Sequence, residues 1–183
     1  MIEKVNKYVN NHYDQDEYNW KHNEFVTRNA LKLGKIFDAD LEVLEIAARF
    51  HDIDYSRGKD YHTKDSAEFA YQFLSEEGYG RAEEVRHAIM CHTSSTVKDI
   101  ENPSIEGKIL HDADKMWTLS PIGFARTIAH RYAKNKSFQF TLNCLRKQIS
   151  NRLFFDESRR LIQEEFEICK RFLGSIERYS KDG

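Results

Sequence analysis

Leu41-Glu42-Val43-Leu44-Glu45-Ile46-Ala47-Ala48-Arg49-Phe50-His51-Asp52 is the stretch on which the rest of the chain depends. Its first ten residues have so little polar face that a helix formed from them must lie at the centre of a bundle. That helix runs straight into an imidazole and a carboxylate. Charged groups at the end of a buried helix need a compensating partner, because burial without one is costly. A divalent ion would supply it. A histidine favoured by the helix dipole, with a solvated aspartate beside it, would also suit the dyad taken alone.

Outward from this helix the pattern stays helical. The 183 residues contain only two prolines, Pro103 and Pro121, each where a helix can start, and no window shows strand-like alternation. Upstream, residues 2–12 form a helix with one apolar face. A second spans about 17–37, capped by Asp14 or Asp16 and striped by Trp20, Phe25, Val26, Ala30, Leu33 and Phe37. Asp38 or Asp40 caps the central helix. Downstream, the spacing predicts helices at about 64–77 with Thr63 as N-cap, 81–92, 105–118, from Pro121 with Ser120 as cap, 138–151 and 156–179. Thr93 to Asn102 reads as a loop. The expected fold is an all-α, compact single domain of eight or nine helices over residues 1–183. Its core is expected at about 18–130, with C-terminal helices at about 138–180 packing on it.

Composition narrows the function classes. A net charge of −2 gives no overall nucleic-acid signature, although it does not exclude local basic patches. No apolar run approaches the roughly 18 residues of a membrane helix. Met1-Ile2-Glu3-Lys4 has neither an apolar h-region nor a cleavage site, and Cys91, Cys144 and Cys169 are scattered without a CxxC spacing, so a cytoplasmic protein with reduced thiols is expected.

Three further stretches carry metal-binding residue types. His22 lies at the edge of its helix's apolar stripe. His87 and His92 are five apart, about 140° round a helix, so they share a pocket only if His92 sits at a frayed end. Asp112 and Asp114 face roughly 200° apart, so at most one points inward; Asp114 has the more buried-looking neighbours, and Asp112 could orient a histidine. Singly each suits an ordinary helix surface, but in order they read His…His-Asp…Asp.

Trp20-Lys21-His22, then Ala47 to Ile53, then Ile109-Leu110-His111-Asp112-Ala113-Asp114-Lys115-Met116 resemble the HD-domain superfamily of metal-dependent phosphohydrolases over roughly residues 18–130. The segment Ala113-Asp114-Lys115 with Ile122 to Arg126 is similar to a small bacterial branch, some of whose members act on nucleotides. The resemblance implies His22, His51, Asp52 and Asp114 as ligands of one divalent ion, and His62, His87 and His92 as candidates for a second ion or for phosphate. The Glu-Asp pair of the superfamily's guanosine-tetraphosphate hydrolases is missing. Tyr55 replaces the glutamate of its 5′-nucleotidases, and the Gly-Tyr-Pro signature of its cyclic-dinucleotide phosphodiesterases is absent.

The expected activity is therefore hydrolysis of a phosphoester or phosphoanhydride, of a nucleotide by the same resemblance, with Asp52 holding the attacking water. Imidazole and carboxylate ligands suit Mn, Fe, Co, Ni or Zn better than Mg alone. Arg57 and Lys59, beyond the dyad, or Lys115 and Arg126, would meet an anionic substrate. The expected partner is a small phosphorylated molecule, with a homodimer as a further expectation. The competing reading is a non-catalytic module that binds a nucleotide or metal and signals through a partner.

Overall fold

The computed structural model describes residues 1–13 and 17–179, and every described element is helical. The predicted caps Asp14 and Asp16 lie outside the described residues. The helices are α1 (Ile2–His12), α2 (Glu17–Ile36), α3 (Leu41–Phe50), α4 (His62–Glu76), α5 (Ala82–Met90), α6 (Ser94–Val97), α7 (Ile105–Thr118), α8 (Pro121–Ala133), α9 (Phe138–Ile149), α10 (Asp156–Leu161) and α11 (Gln163–Tyr179). They fall into two compact units, Met1–Asp114 and Lys115–Gly183.

In the first unit α3 is central, packing on α1, α2, α4 and α5. Val43, Leu44, Ile46, Ala47, Ala48 and Phe50 are all buried. Asp40 is the residue that caps this helix, its carboxylate accepting from the Val43 amide at 2.9 Å, while Arg81 holds its other oxygen at 2.6 Å. Gly34 lets α2 and α3 approach closely, because a Cβ there would stand 2.7 Å from Leu44 and 2.8 Å from Leu41. At the other end, Phe50 packs among Tyr8, Phe69 and Phe73 with ring centroids 5.3–6.2 Å away. The buried end of α3 therefore presents His51, which is itself buried, and the partly exposed Asp52.

In the second unit Phe124, Leu142, Leu145, Cys169 and Leu173 form a core, with Ile128, Ile149 and Ile176 against it. Ser120 caps α8 from the Gly123 amide at 3.4 Å, with Pro121 at the first helical position, as the sequence predicts. Gly123 is obligatory there, since a Cβ would lie 2.3 Å from the Trp117 carbonyl.

Eleven helices among the described residues exceed the eight or nine expected, for two local reasons. The polar Thr93–Asn102 stretch contains α6, a single turn held by hydroxyls: Thr96 Oγ1 donates to the Met90 carbonyl at 2.6 Å and lies 2.7 Å from Thr93 Oγ1. The predicted helix over 156–179 breaks at Ile162, which leaves helical geometry at φ −121° and is itself buried. Thr63 is not an N-cap. Helix α4 starts two residues earlier than predicted, at His62 with Tyr61 as its N-cap, and Thr63 Oγ1 instead lies 3.2 Å from Thr93 Oγ1.

Candidate metal centre

Three histidines at helix ends share one device. His51, the C-cap of α3, donates its Nδ1–H to the Ala48 carbonyl at 2.7 Å. His92, two residues past α5, does the same to Ile89 at 2.7 Å, and His62, opening α4, to Lys59 at 2.5 Å. Each ring thus bonds the carbonyl three residues back. That bond fixes the tautomer and leaves Nε2 with an outward lone pair, the arrangement a metal-ligating histidine needs.

All three lone pairs meet at Asp52. Its Oδ1 is 3.3 Å from His92 Nε2 and 3.5 Å from His62 Nε2; its Oδ2 is 3.6 Å from His51 Nε2 and 3.5 Å from His22 Nε2. His22 Nε2 stands 3.0 Å from His51 Nε2 and 3.6 Å from Asp114 Oδ1. Two triads result, His22/His51/Asp114 and Asp52/His62/His92, with the Asp52 carboxylate between them. All six residues belong to the first unit.

These spacings fit a divalent ion. Neighbouring ligand atoms about 2.1 Å from an ion lie roughly 3.0–3.4 Å apart. Asp52 Oδ1 and His92 Nε2 are buried atoms that face each other without hydrogen-bond geometry. A proton on one nitrogen would satisfy one contact, whereas a cation satisfies the whole set. The protonation states agree. Burial lowers the His51 pKa to about 4, against the opposing pull of Asp52, and burial likewise lowers that of His62. Burial alone would raise the Asp52 carboxyl. The imidazoles of His51, His22 and His92 outweigh it and hold the group well below the usual carboxylate range. Neutral imidazoles and an ionised carboxylate are the states that bind metal.

The two aspartates of α7 part company. Asp114 joins His22, while Asp112 is wholly buried with Oδ1 3.3 Å from Nδ1 of His111, whose Nε2 lies 3.3 Å from Ser94 Oγ. His87 belongs to neither triad and sits half-buried on α5, because the wheel angle that separates it from His92 is not recovered at the helix end. Arg57 is tied to Asp65, its Nε 2.9 Å from Oδ2, and lies 4.9 Å over the Tyr61 ring. Lys59 is exposed and contributes its carbonyl to His62. Lys115 and Arg126 belong to the second unit, Arg126 with Nη1 3.4 Å from His130 Nδ1.

Two features are new relative to the sequence. A cavity of about 310 Å³ opens beside the dyad, with Tyr13, Asn19, His22, Asp52, Asp54 and Tyr55 among its walls. The Tyr13 hydroxyl donates to the Asp52 carbonyl at 3.1 Å, and Tyr55 stacks on His62 at 4.5 Å. Asn23, next to His22, clamps α2 to the end of α3. Its Nδ2 donates to the carbonyls of Arg49 at 2.8 Å and Ala48 at 3.3 Å, and its Oδ1 accepts from Arg49 Nη1 at 3.2 Å. Arg49 Nη1 also pairs with Glu24. An amide on the buried side of an otherwise apolar stripe was the one available sequence signal.

The family model of the HD domain matches residues 19–118. Solved structures share the fold. The Lin1889 protein of Listeria innocua superposes with a TM-score of 0.74 at 21% identity, over 98% of this chain and 95% of that one. YpgQ of Bacillus subtilis, in complex with ADP, gives 0.68 at 23% over 97% and 93%. An HD-superfamily hydrolase of Bacillus thuringiensis gives 0.67 at 24% over 99% and 95%. At these identities the likeness establishes the fold. No curated protein matches the sequence. Among the described residues, no helix is long and apolar enough to cross a membrane.

Proposed function

The chain belongs to the HD domain family, and from that premise we propose that it is a metal-dependent phosphohydrolase acting on a small phosphorylated molecule, a nucleotide in the first instance. The observation that carries the reading is the convergence of four imidazole nitrogens and two carboxylates, three of the rings pre-set by backbone bonds.

His22, His51, Asp52 and Asp114 would hold the ion, and imidazole-rich ligation favours Mn, Fe, Co, Ni or Zn over Mg alone. The ion supplies Lewis acidity, lowering the pKa of water toward ~7 and neutralising phosphoryl charge. The chain's own residues do the rest. The ionised Asp52 carboxylate, which lines the cavity, takes the proton of the attacking water as that water's oxygen bonds phosphorus. The bond from phosphorus to the leaving oxygen breaks, and that oxygen receives the proton. His62 and His92, whose Nε2 atoms lie 3.3–3.5 Å from Asp52, face the phosphoryl group or a second ion. The cavity takes the remainder of the substrate, with the Tyr13 and Tyr55 rings available to a base or sugar. The ADP bound to YpgQ supports a nucleotide.

Metal analysis of purified protein, followed by turnover of p-nitrophenyl phosphate and nucleotides with added Mn²⁺, tests this. Stoichiometric metal and Mn²⁺-stimulated release of phosphate or pyrophosphate are expected. Metal binding without turnover of any phosphorylated substrate would leave the binding module as the better reading.

A further inference from the structure

We propose that the corner joining α8 to α9 is a docking surface for single-stranded nucleic acid. The chain's overall charge of −2 conceals an uneven layout. Between Asp114 and Asp156 there is no Asp or Glu, yet eight lysines and arginines fall there. Such local asymmetry is the footprint of an anionic partner that a total charge cannot reveal. Arg146 is neutralised by Glu177 at 2.6 Å. Arg131, Lys134 and Lys136 make no ion pair among the described residues.

The backbone gathers these cations around exposed rings. Asn135 turns left-handed at φ 51°, and the Lys136 amide bonds back to the Arg131 carbonyl at 3.0 Å, so the chain reverses within a few residues. As a result the Arg131 guanidinium and the Lys136 ammonium flank one ring, 5.6 and 5.7 Å from the Phe140 centroid. Tyr132 is 83% exposed, Phe138 63% and Phe140 44%. Flat rings interleaved with cations match a polymer that offers a base and a phosphate at every step.

A membrane is the poorer match. Leu142 and Leu145, the apolar face of α9, are spent in the unit's own core with Phe124, Cys169 and Leu173. What remains outward is separate rings and charges, without the continuous apolar face that interfacial helices bury. The surface is independent of the hydrolytic reading, since none of its residues belongs to either triad.

Fluorescence anisotropy of the full chain with labelled dT₁₂ and U₁₂, in EDTA, tests the proposal while metal chemistry is silent. Binding with a Kd of about 1–100 µM at low salt is expected, weakening about tenfold between roughly 50 and 200 mM salt. Charge reversal of Arg131, Lys134 and Lys136 together should weaken it at least tenfold. Tyr132→Ala and Phe138→Ala should each cost about tenfold; both side chains are mostly exposed, and thermal melts verify their folding. No binding at about 100 µM, binding indifferent to these variants, or complete displacement by an equal nucleotide concentration of free AMP overturns it. So does binding of phosphatidylserine vesicles, or self-association in sedimentation, in place of the oligonucleotides.

Discussion

The two triads that share Asp52 differ in charge and in how they are held. His22, His51 and Asp114 come from α2, the end of α3 and α7, and with Asp52 Oδ2 they bring two carboxylates to two imidazoles. His62 and His92 have only Asp52 Oδ1. A divalent cation is neutralised by the first set and left half-compensated by the second. We therefore expect the first to bind its ion tightly and the second to bind a weaker ion or to act on phosphate. Both depend on one side chain that is 18% exposed, the opening toward the cavity.

Asp52→Asn keeps the volume and removes the shared charge, so it should strike both triads at once. Activity is expected to fall by at least about 10³-fold, and affinity for the first ion by about 10²-fold. Retained turnover would dissolve the link between the triads. The comparison is then sharpened by unequal partners. His51→Ala should abolish stoichiometric metal, whereas His92→Ala should leave one tightly bound ion and lower activity about 10²-fold, read by metal analysis and steady-state kinetics on the same preparations. The reverse order would mean that the second triad is the primary site.

Asn23 tests whether the first triad is held from outside. Asn23→Ala releases the Arg49 carbonyl from a 2.8 Å bond and frees α2 from the end of α3, loosening His22 against His51. Metal affinity is expected to drop about tenfold with the stoichiometry unchanged, measured by calorimetric titration. Nitrogen-15 shifts of the metal-free protein should still show His51 with its proton on Nδ1, since that bond goes to Ala48 and does not involve Asn23. Unaltered affinity would make the clamp a matter of stability only.

A smaller effect follows from pH in the metal-free protein. His51 is neutral when folded, with its pKa depressed from 6.5 to about 4, whereas the unfolded chain takes up a proton below 6.5. The unfolded state therefore binds more protons in this window, and stability is lost as pH falls from 6.5 to 4. The loss is about 3 kcal/mol, with His62 adding in the same direction. Asp52, whose pKa is depressed, keeps its contribution until the pH falls below 3.8, outside the window. Urea midpoints across this range should flatten in His51→Gln; an undiminished slope would assign the acid sensitivity elsewhere.

How much of this was legible depends on the range of the forces involved. The central helix, a cap at Asp38 or Asp40 and the Ser120-Pro121 start are local signals; the structure repeats them and chooses Asp40. His22, His51, Asp52 and Asp114 stand on regular helices or at their ends, where order and flanking residues could group them, and the structure places them together. The break at Ile162 answers to burial against distant residues, and α6 to hydroxyl bonding without apolar periodicity, so neither left a pattern. The Asn23 clamp and the cavity walls are contacts between segments far apart in sequence. Separating His92 from His87 required knowing where α5 ends.

That last distinction yields the smallest effect and the cleanest control. His87 and His92 are alike in composition and share a segment, yet His92 bonds Ile89 with Nδ1 and points Nε2 at Asp52, while His87 lies on the helical turn outside both triads. The difference is that α5 stops at Met90, so His92 is freed from helical phase and His87 is not. His87→Ala should leave metal content and turnover within about twofold of the unaltered protein, and stability within roughly 1 kcal/mol for a half-buried side chain. His92→Ala prepared beside it should not. If the two variants behaved alike, the helix end could not be what assigns one histidine to the centre, and the second triad would need redrawing around α5.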